Sequence, residues 1–306
     1  MRIVFMGSPD FAVPSLQILQ ENGYQIVGVV TATDKWGGRG NKKLLESAVK
    51  TYAKEAGLPV LQPKNLKAPE FVAELAALKP DLQVVVAFRM LPEVVWSLPT
   101  IGTFNLHGSL LPKYRGAAPI NWAIIEGERE TGVTTFFIKH EIDTGDVLLQ
   151  DRLEIEENET LGELYDRMKK LGARAVLKTV QLIETGNYTL LPQDHQAATK
   201  APKIFHEDCR IDFEQSARRV HNFIRGLSPH PAAWTLLDGL ELKIYESRCD
   251  PAPPVHPPGA IDTDQRKYLR FATKDGYVSV LELQLQGRKR MRVRDFLNGY
   301  TIEQTN

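Results

Sequence analysis

The first half of the chain alternates short, apolar β-rich runs with stretches of helical periodicity, an order that few architectures accommodate. RIVFMG (2–7), QIVGVVT (25–31), LQVVVAF (82–88) and GTFNLHGS (102–109) read as strands, the third nearly continuous in apolar residues. Such a run fits a strand covered on both faces of a parallel sheet. After the first strand, apolar residues at helical spacing continue through Leu16 and Leu19. Leu44, Leu45, Ala48, Val49, Tyr52 and Ala53 trace one face of a predicted helix, which Gly57 and Pro59 end. GVTTFFIKH (132–140) and DVLLQDRLEI (146–155) continue the sheet. Thr160 and Glu163 then form a capping box before a long amphipathic helix closed by Gly186. The expectation is an α/β domain over residues 1–190. Its crossovers should be right-handed, and its ligands should bind beyond the carboxyl ends of the strands.

The second half has a different pattern. Residues 191–208 are polar, carry Pro192 and Pro202, and read as a linker. From residue 209 to 306, a short helical pattern (Phe213, Ala217, Val220, Ile224) precedes five β-rich runs: AAWTLL, ELKIYES, YLRFAT, YVSVLELQL and KRMRVRDF. Strands joined by turn signals without helices between them predict a small antiparallel β-barrel. PAPPVHPPG (251–259) cannot be a central strand and reads as a loop.

At 306 residues the chain is long enough for about two domains and can bury a sizeable core without staples. Its two cysteines, Cys209 and Cys249, have no metal-ligand spacing, so neither a disulfide framework nor a metal is expected. Asp10 interrupts the N-terminal apolar run before a signal-peptide core forms, and no apolar stretch approaches a membrane span. The expectation is a cytoplasmic protein. A net charge of zero argues against a globally basic nucleic-acid binder. Two local basic patches remain, Lys35, Arg39, Lys42 and Lys43 in one, and the run from Arg288 to Arg294 in the other.

Common cofactor signatures are missing: the first strand ends in Gly7-Ser8-Pro9-Asp10-Phe11, not GxGxxG, and there is no GxxxxGK[ST], HExxH or GxSxG. The informative segment is FNLHGSLLPKYRGAAPINWAIIEGERETGVTTFFIKHEIDTGD, residues 104–146. Asn105 and His107 are two apart on a strand, so both point to the same side near its carboxyl end. Asp143 sits in a glycine-flanked turn between two later strands and could reach the imidazole. An amide donor, an imidazole and a carboxylate suit acyl transfer. A lone strand-end Asn-x-His is more often a structural hydrogen-bonding pair, and spacing alone does not overturn that reading.

NLHGSLLPKYRGAAPINWAI followed by IDTGD resembles the signature of the folate-dependent formyltransferases. Within that family it is most similar to the branch whose acceptor is methionyl initiator tRNA. MGSPDFAVPSL resembles that branch's first strand and turn, GGRGNKKL its inserted basic loop, and DFLNGY its C-terminal end. The resemblance implies that Asn105, His107 and Asp143 are catalytic, and that Ser109, Leu110, Leu111 and Pro112 contact the folate. It implies a Rossmann-like parallel-sheet domain followed by a barrel resembling the oligonucleotide-binding fold, the latter binding tRNA. The formyl donor would be 10-formyltetrahydrofolate, a reduced folate, with no metal, no membrane and no obligate protein partner. One departure is visible: Phe88-Arg89 stand where the family commonly has tyrosine and glycine before a loop lining the folate pocket.

The resemblance sets Arg39, Lys42 and Lys43 against the tRNA acceptor stem, and Gly37, Gly38 and Gly40 suggest a segment that orders on a partner. If residues 288–294 are extended, Arg288, Arg290, Arg292 and Arg294 share one face, a row roughly 20 Å long suited to phosphates. The readings left open are a formyltransferase acting on a small amine such as a sugar nucleotide, a hydrolase of the formyl donor, and a non-catalytic nucleic-acid binder on the same scaffold.

Overall fold

The computed structural model describes residues 1–37 and 43–303. The chain divides into two compact units, one made of Met1–Gly116, Gly132–Leu153 and Tyr165–Lys200, the other of Ala117–Thr131, Glu154–Leu164 and Ala201–Asn306. The elements follow in chain order. They begin with β1 (Arg2–Gly7), α1 (Val13–Glu21), β2 (Gln25–Val30), β3 (Lys35–Gly37), β4 (Lys43–Leu45) and α2 (Ala48–Glu55). Next are β5 (Val60–Leu61), α3 (Pro69–Ala77), β6 (Leu82–Val86), α4 (Glu93–Trp96), β7 (Gly102–His107) and β8 (Arg115–Gly116). Then come α5 (Pro119–Ile125), β9 (Glu130–Phe137), β10 (Val147–Glu154), α6 (Leu161–Thr185) and β11 (Lys200–Ala201).

In the first unit seven strands form one sheet in the order β10-β9-β7-β6-β1-β2-β5. β1 is parallel to β2 and β6, β2 to β5, and β6 to β7, whereas β9 runs antiparallel to β7. The sheet is therefore parallel-dominated and Rossmann-like. All five residues of β6 are buried, Gln83 included, as the near-continuous apolar run requires of a strand covered on both faces. Val4, Met6, Val27, Val30, Phe71, Leu75 and Val85 form part of the core. The strand order reverses between β1 and β6, and β7 ends on the carboxyl side of that crevice, where ligands of open α/β sheets bind.

One predicted helix starts later than expected. Leu44 and Leu45 belong to β4, are exposed, and pair with Trp36 and Lys35 of β3. Ser47 explains the shift: its backbone is extended, and its hydroxyl accepts from Lys50 N, capping α2 at Ala48. The capping box of α6 forms as expected, with Thr160 N donating to Glu163 Oε2 at 2.8 Å. Among the described residues, no helix is long and apolar enough to cross a membrane.

The second unit continues with α7 (Ala217–Leu227), β12 (Ala233–Leu237), β13 (Leu240–Asp250), β14 (Ile261–Thr263), β15 (Leu269–Ala272), β16 (Tyr277–Leu285), β17 (Met291–Arg292) and α8 (Val293–Asn298). Its antiparallel sheet runs β12-β13-β16-β15-β14, with β17 added to β16, and curls as an open barrel. Phe213, Ile224, Leu242, Ile244, Phe271, Leu283 and Phe296 fill it. α7 also meets α5 closely enough that a Cβ on Gly226 would lie 2.7 Å from Ile125, so only glycine fits there.

The C-terminal basic run departs from its expected form. Only Met291 and Arg292 are strand, and Val293 already begins α8. Val293, Phe296 and Leu297 are buried at helical spacing, and that apolar face outweighs the alternation read from the arginines. Arg294 rides on the helix, so the row of four guanidinium groups on one strand face does not exist.

Candidate active site

Asn105 lies on β7 in register between Val85 of β6 and Phe136 of β9, and His107 is the last residue of the strand. Strand alternation turns both side chains the same way. The Asn105 amide is half-buried and unengaged among the described residues. His107 is buried, and its Nε2 lies 2.8 Å from the carbonyl oxygen of Tyr114. A carbonyl only accepts, so Nε2 carries the hydrogen and donates it. In the neutral ring Nδ1 is then the nitrogen without a hydrogen, and it faces Asp143 Oδ2 at 3.7 Å.

Asp143 occupies the left-handed region, φ 56°, in the turn between β9 and β10. Its Oδ2 also accepts from Gly116 N at 2.9 Å. A Cβ on Gly145 would fall 1.7 Å from Phe137 O, so the turn that aims the carboxylate requires glycine at that position.

The loop after β7 is tied down by side chains of β9 and β10. Thr134 Oγ1 donates to Ser109 O at 2.7 Å and accepts from Leu111 N at 3.0 Å. Gln150 Nε2 donates to Leu111 O at 2.7 Å, and Ser109 Oγ donates to Lys113 O at 2.6 Å. Ser109 and Leu111 are buried and shape the loop, while Leu110 and Pro112 remain half-buried. Tyr114, Thr134 and Gln150 were not singled out from sequence. Tyr114 acts through its carbonyl, which every residue carries, and the other two lie on strands whose pattern speaks only of burial.

Arg89 is braced against the segment at 63–64. Its guanidinium donates to the carbonyls of Pro63 and Lys64 and sits 5.7 Å from the Phe88 ring centroid. It borders a cleft of about 690 Å³ lined also by Leu66, Met90, Glu93 and Val94, which contains none of Asn105, His107 and Asp143.

Of the basic residues singled out, Arg39 and Lys42 lie outside the described residues. Lys43 is exposed on β4, across from Gly37, on a ribbon that also exposes Trp36 at 67%. In the second unit, Arg290 pairs with Glu282 and Arg292 with Glu246. Arg288 donates to Gly299 O at 3.3 Å and lies over the Tyr300 ring.

Residues 1–180 match the model of the formyl transferases, and residues 203–301 match that of the formyl transferase C-terminal domain. The chain belongs to the formyl transferase family. Among relatives of this formyl transferase, the methionyl-tRNA formyltransferase of Parabacteroides distasonis is 53% identical, over 98% of this chain and 96% of its own. That of Flavobacterium johnsoniae is 50% identical over 99% and 97%. Among solved structures, an N-formyltransferase from Helicobacter canadensis, in complex with folinic acid and dTDP-3-aminofucose, superposes with a TM-score of 0.70. It is 22% identical, over 91% of this chain and 98% of its own. HypX from Aquifex aeolicus, in complex with tetrahydrofolic acid, gives 0.65 at 21% identity over 97% of this chain and 47% of its own. At those identities the two structures speak for the fold.

Proposed function

We propose that this formyl transferase moves a formyl group from 10-formyltetrahydrofolate to the α-amino group of methionyl initiator tRNA in the cytoplasm. The observation that carries the reading is the pairing of His107 with Asp143 at the carboxyl end of β7, beside an Asn105 amide that is unengaged among the described residues. The near-full-length likeness to methionyl-tRNA formyltransferases selects the acceptor over a sugar nucleotide.

The acceptor amine attacks only when unprotonated, and a free α-amino group titrates near about 7.7–8.0, lower still beside an ester. Negative charge then develops on the formyl oxygen. Asn105 donates its amide hydrogen to that oxygen. His107 takes the proton released by the amine at Nδ1 and returns it to the departing folate nitrogen, held throughout by its Nε2–H bond to Tyr114 O. Asp143 meets the positive charge that the ring carries between those two transfers. Ser109, Leu110, Leu111 and Pro112 form the loop against which the folate rests. In this reading residues 1–190 form the catalytic domain, and residues 209–306, reached through 191–208, hold the tRNA. Arg39, Lys42 and Lys43, with the exposed Trp36, face the acceptor stem.

The test is mass spectrometry of methionyl initiator tRNA after incubation with enzyme and formyl donor. The methionine should gain one formyl group. Formylation of a sugar amine in its place, or donor hydrolysis alone, would overturn the reading.

A further inference from the structure

Gln193 lies in the polar stretch that the sequence offers as a linker, yet it is buried, at 7% exposure. Its Nε2 donates to Asp143 O at 2.9 Å and to Gly145 O at 2.8 Å, two carbonyls of one turn. Its Oε1 accepts from Arg115 Nη2 at 2.6 Å and from Arg115 Nε at 3.2 Å. Arg115 is followed by Gly116, whose N–H holds the Asp143 carboxylate. A closed ring results: the Asp143 carboxylate to Gly116, along the chain to the Arg115 guanidinium, across to Gln193, and back to Asp143's own carbonyl.

We infer that Gln193 is a positioning residue for Asp143, fixing the turn from behind so that the carboxylate faces His107. The inference rests on the catalytic reading of Asp143. A non-glycine residue at φ 56° is in a conformation disfavoured by roughly 1–2 kcal/mol, so the turn needs outside support to keep it. A side chain that holds two carbonyls and also accepts from a guanidinium needs two N–H groups and a carbonyl oxygen, which a primary amide supplies. Glutamate would keep the Arg115 contact but set an oxygen against both carbonyls. Methionine would keep the bulk and lose every polar contact.

The test is steady-state kinetics of Gln193→Glu and Gln193→Met, alone and combined with Asp143→Asn. Each single substitution should lower kcat by about 10- to 100-fold, the scale of a misplaced catalytic group, with both KM values within about threefold. In the Asp143→Asn background, Gln193→Met should add less than about twofold, because its effect passes through Asp143. A merely structural role would reduce kcat in both backgrounds. If Gln193→Met does not fold, Arg115→Met carries the test: a loss of about threefold or more that disappears in the Asp143→Asn background. Full kcat in the Gln193 variants beside a slow Asp143→Asn, or losses that add to it, overturns the inference alone. Near-normal kcat in Asp143→Asn overturns the catalytic reading of Asp143 itself.

Discussion

Asp143 Oδ2 stands 3.7 Å from His107 Nδ1, within ion-pair range but beyond a hydrogen bond. The same oxygen accepts from Gly116 N, and the opposite ring nitrogen is committed to Tyr114 O. Nδ1 therefore faces a carboxylate whose own position is fixed by backbone, the arrangement that the proposed proton transfer uses. Removing either side chain should lower formyl transfer by at least about 10²-fold, the scale of a lost acid–base group. His107→Ala and Asp143→Ala should bind donor and tRNA almost as before. Single-turnover rates close to the parent's in either variant would remove that residue from the catalytic set.

If Asn105 donates to the developing charge as proposed, its isosteric carboxylate should be worse than its truncation. Asn105→Ala should lose roughly 10²- to 10³-fold in kcat, and Asn105→Asp more, since it sets a negative charge where one must form. An Asn105→Asp variant faster than Asn105→Ala would show that the amide does not meet the oxyanion.

The ribbon of β3 and β4 exposes Trp36 beside Lys35 and Lys43, an aromatic face among cations that suits a nucleic acid. Trp36→Ala and Arg39→Ala should each reduce kcat/KM for charged tRNA while donor affinity and any slow donor hydrolysis persist. Parallel assays with tRNA and with donor alone decide it. An unchanged efficiency toward tRNA returns the ribbon to a solvated surface.

The C-terminal arginines make a smaller prediction than a four-fold phosphate row would. Arg290 and Arg292 already face Glu282 and Glu246, so the pairs are close to neutral toward a polyanion. Replacing both with alanine should flatten the log–log salt dependence of tRNA binding by less than one phosphate contact, about 0.7–0.9. A change near twice that size would show that both arginines meet phosphates in spite of their carboxylate partners.

What the sequence made legible, and what it hid, follows from where the signal resides. The strands of the first sheet announced themselves because burial on both faces leaves almost no polar residue, as in Leu82–Val86. Asn105, His107 and Asp143 were readable through their neighbours in a long composite motif. Gln193 was not, because its partners are backbone carbonyls far along the chain and its surroundings are polar. Leu44 and Leu45 misled in the other direction: their spacing continues the apolar face of α2, and only the Ser47 cap separates them from it. In the last strand, alternating arginines mimicked a strand period that the helical spacing of Val293, Phe296 and Leu297 overrides.

His221 supplies a pH dependence that belongs to the second unit alone. The ring is buried on α7, Nδ1 lies 2.9 Å from Ser247 Oγ, and Nε2 has no hydrogen-bond partner among the described residues. Burial, with Arg225 and Arg218 nearby and Glu157 opposing, pushes its pKa down from 6.5 to about 4. Above the unfolded value of 6.5 neither state binds the proton, and this residue adds no pH dependence. Between 6.5 and about 4 the unfolded chain takes up a proton that the folded one refuses, so stability falls as pH falls. The full loss is on the order of 3 kcal/mol, and about 2 kcal/mol of it should be gone near pH 5. His221→Gln forfeits packing and is expected to be less stable near pH 7.5. Its urea midpoint should nevertheless fall less between about pH 7.5 and pH 5 than that of the unaltered protein, because carboxylates titrate alike in both. Equal falls in the two proteins would mean that His221 takes its proton in the folded state as readily as in the unfolded one.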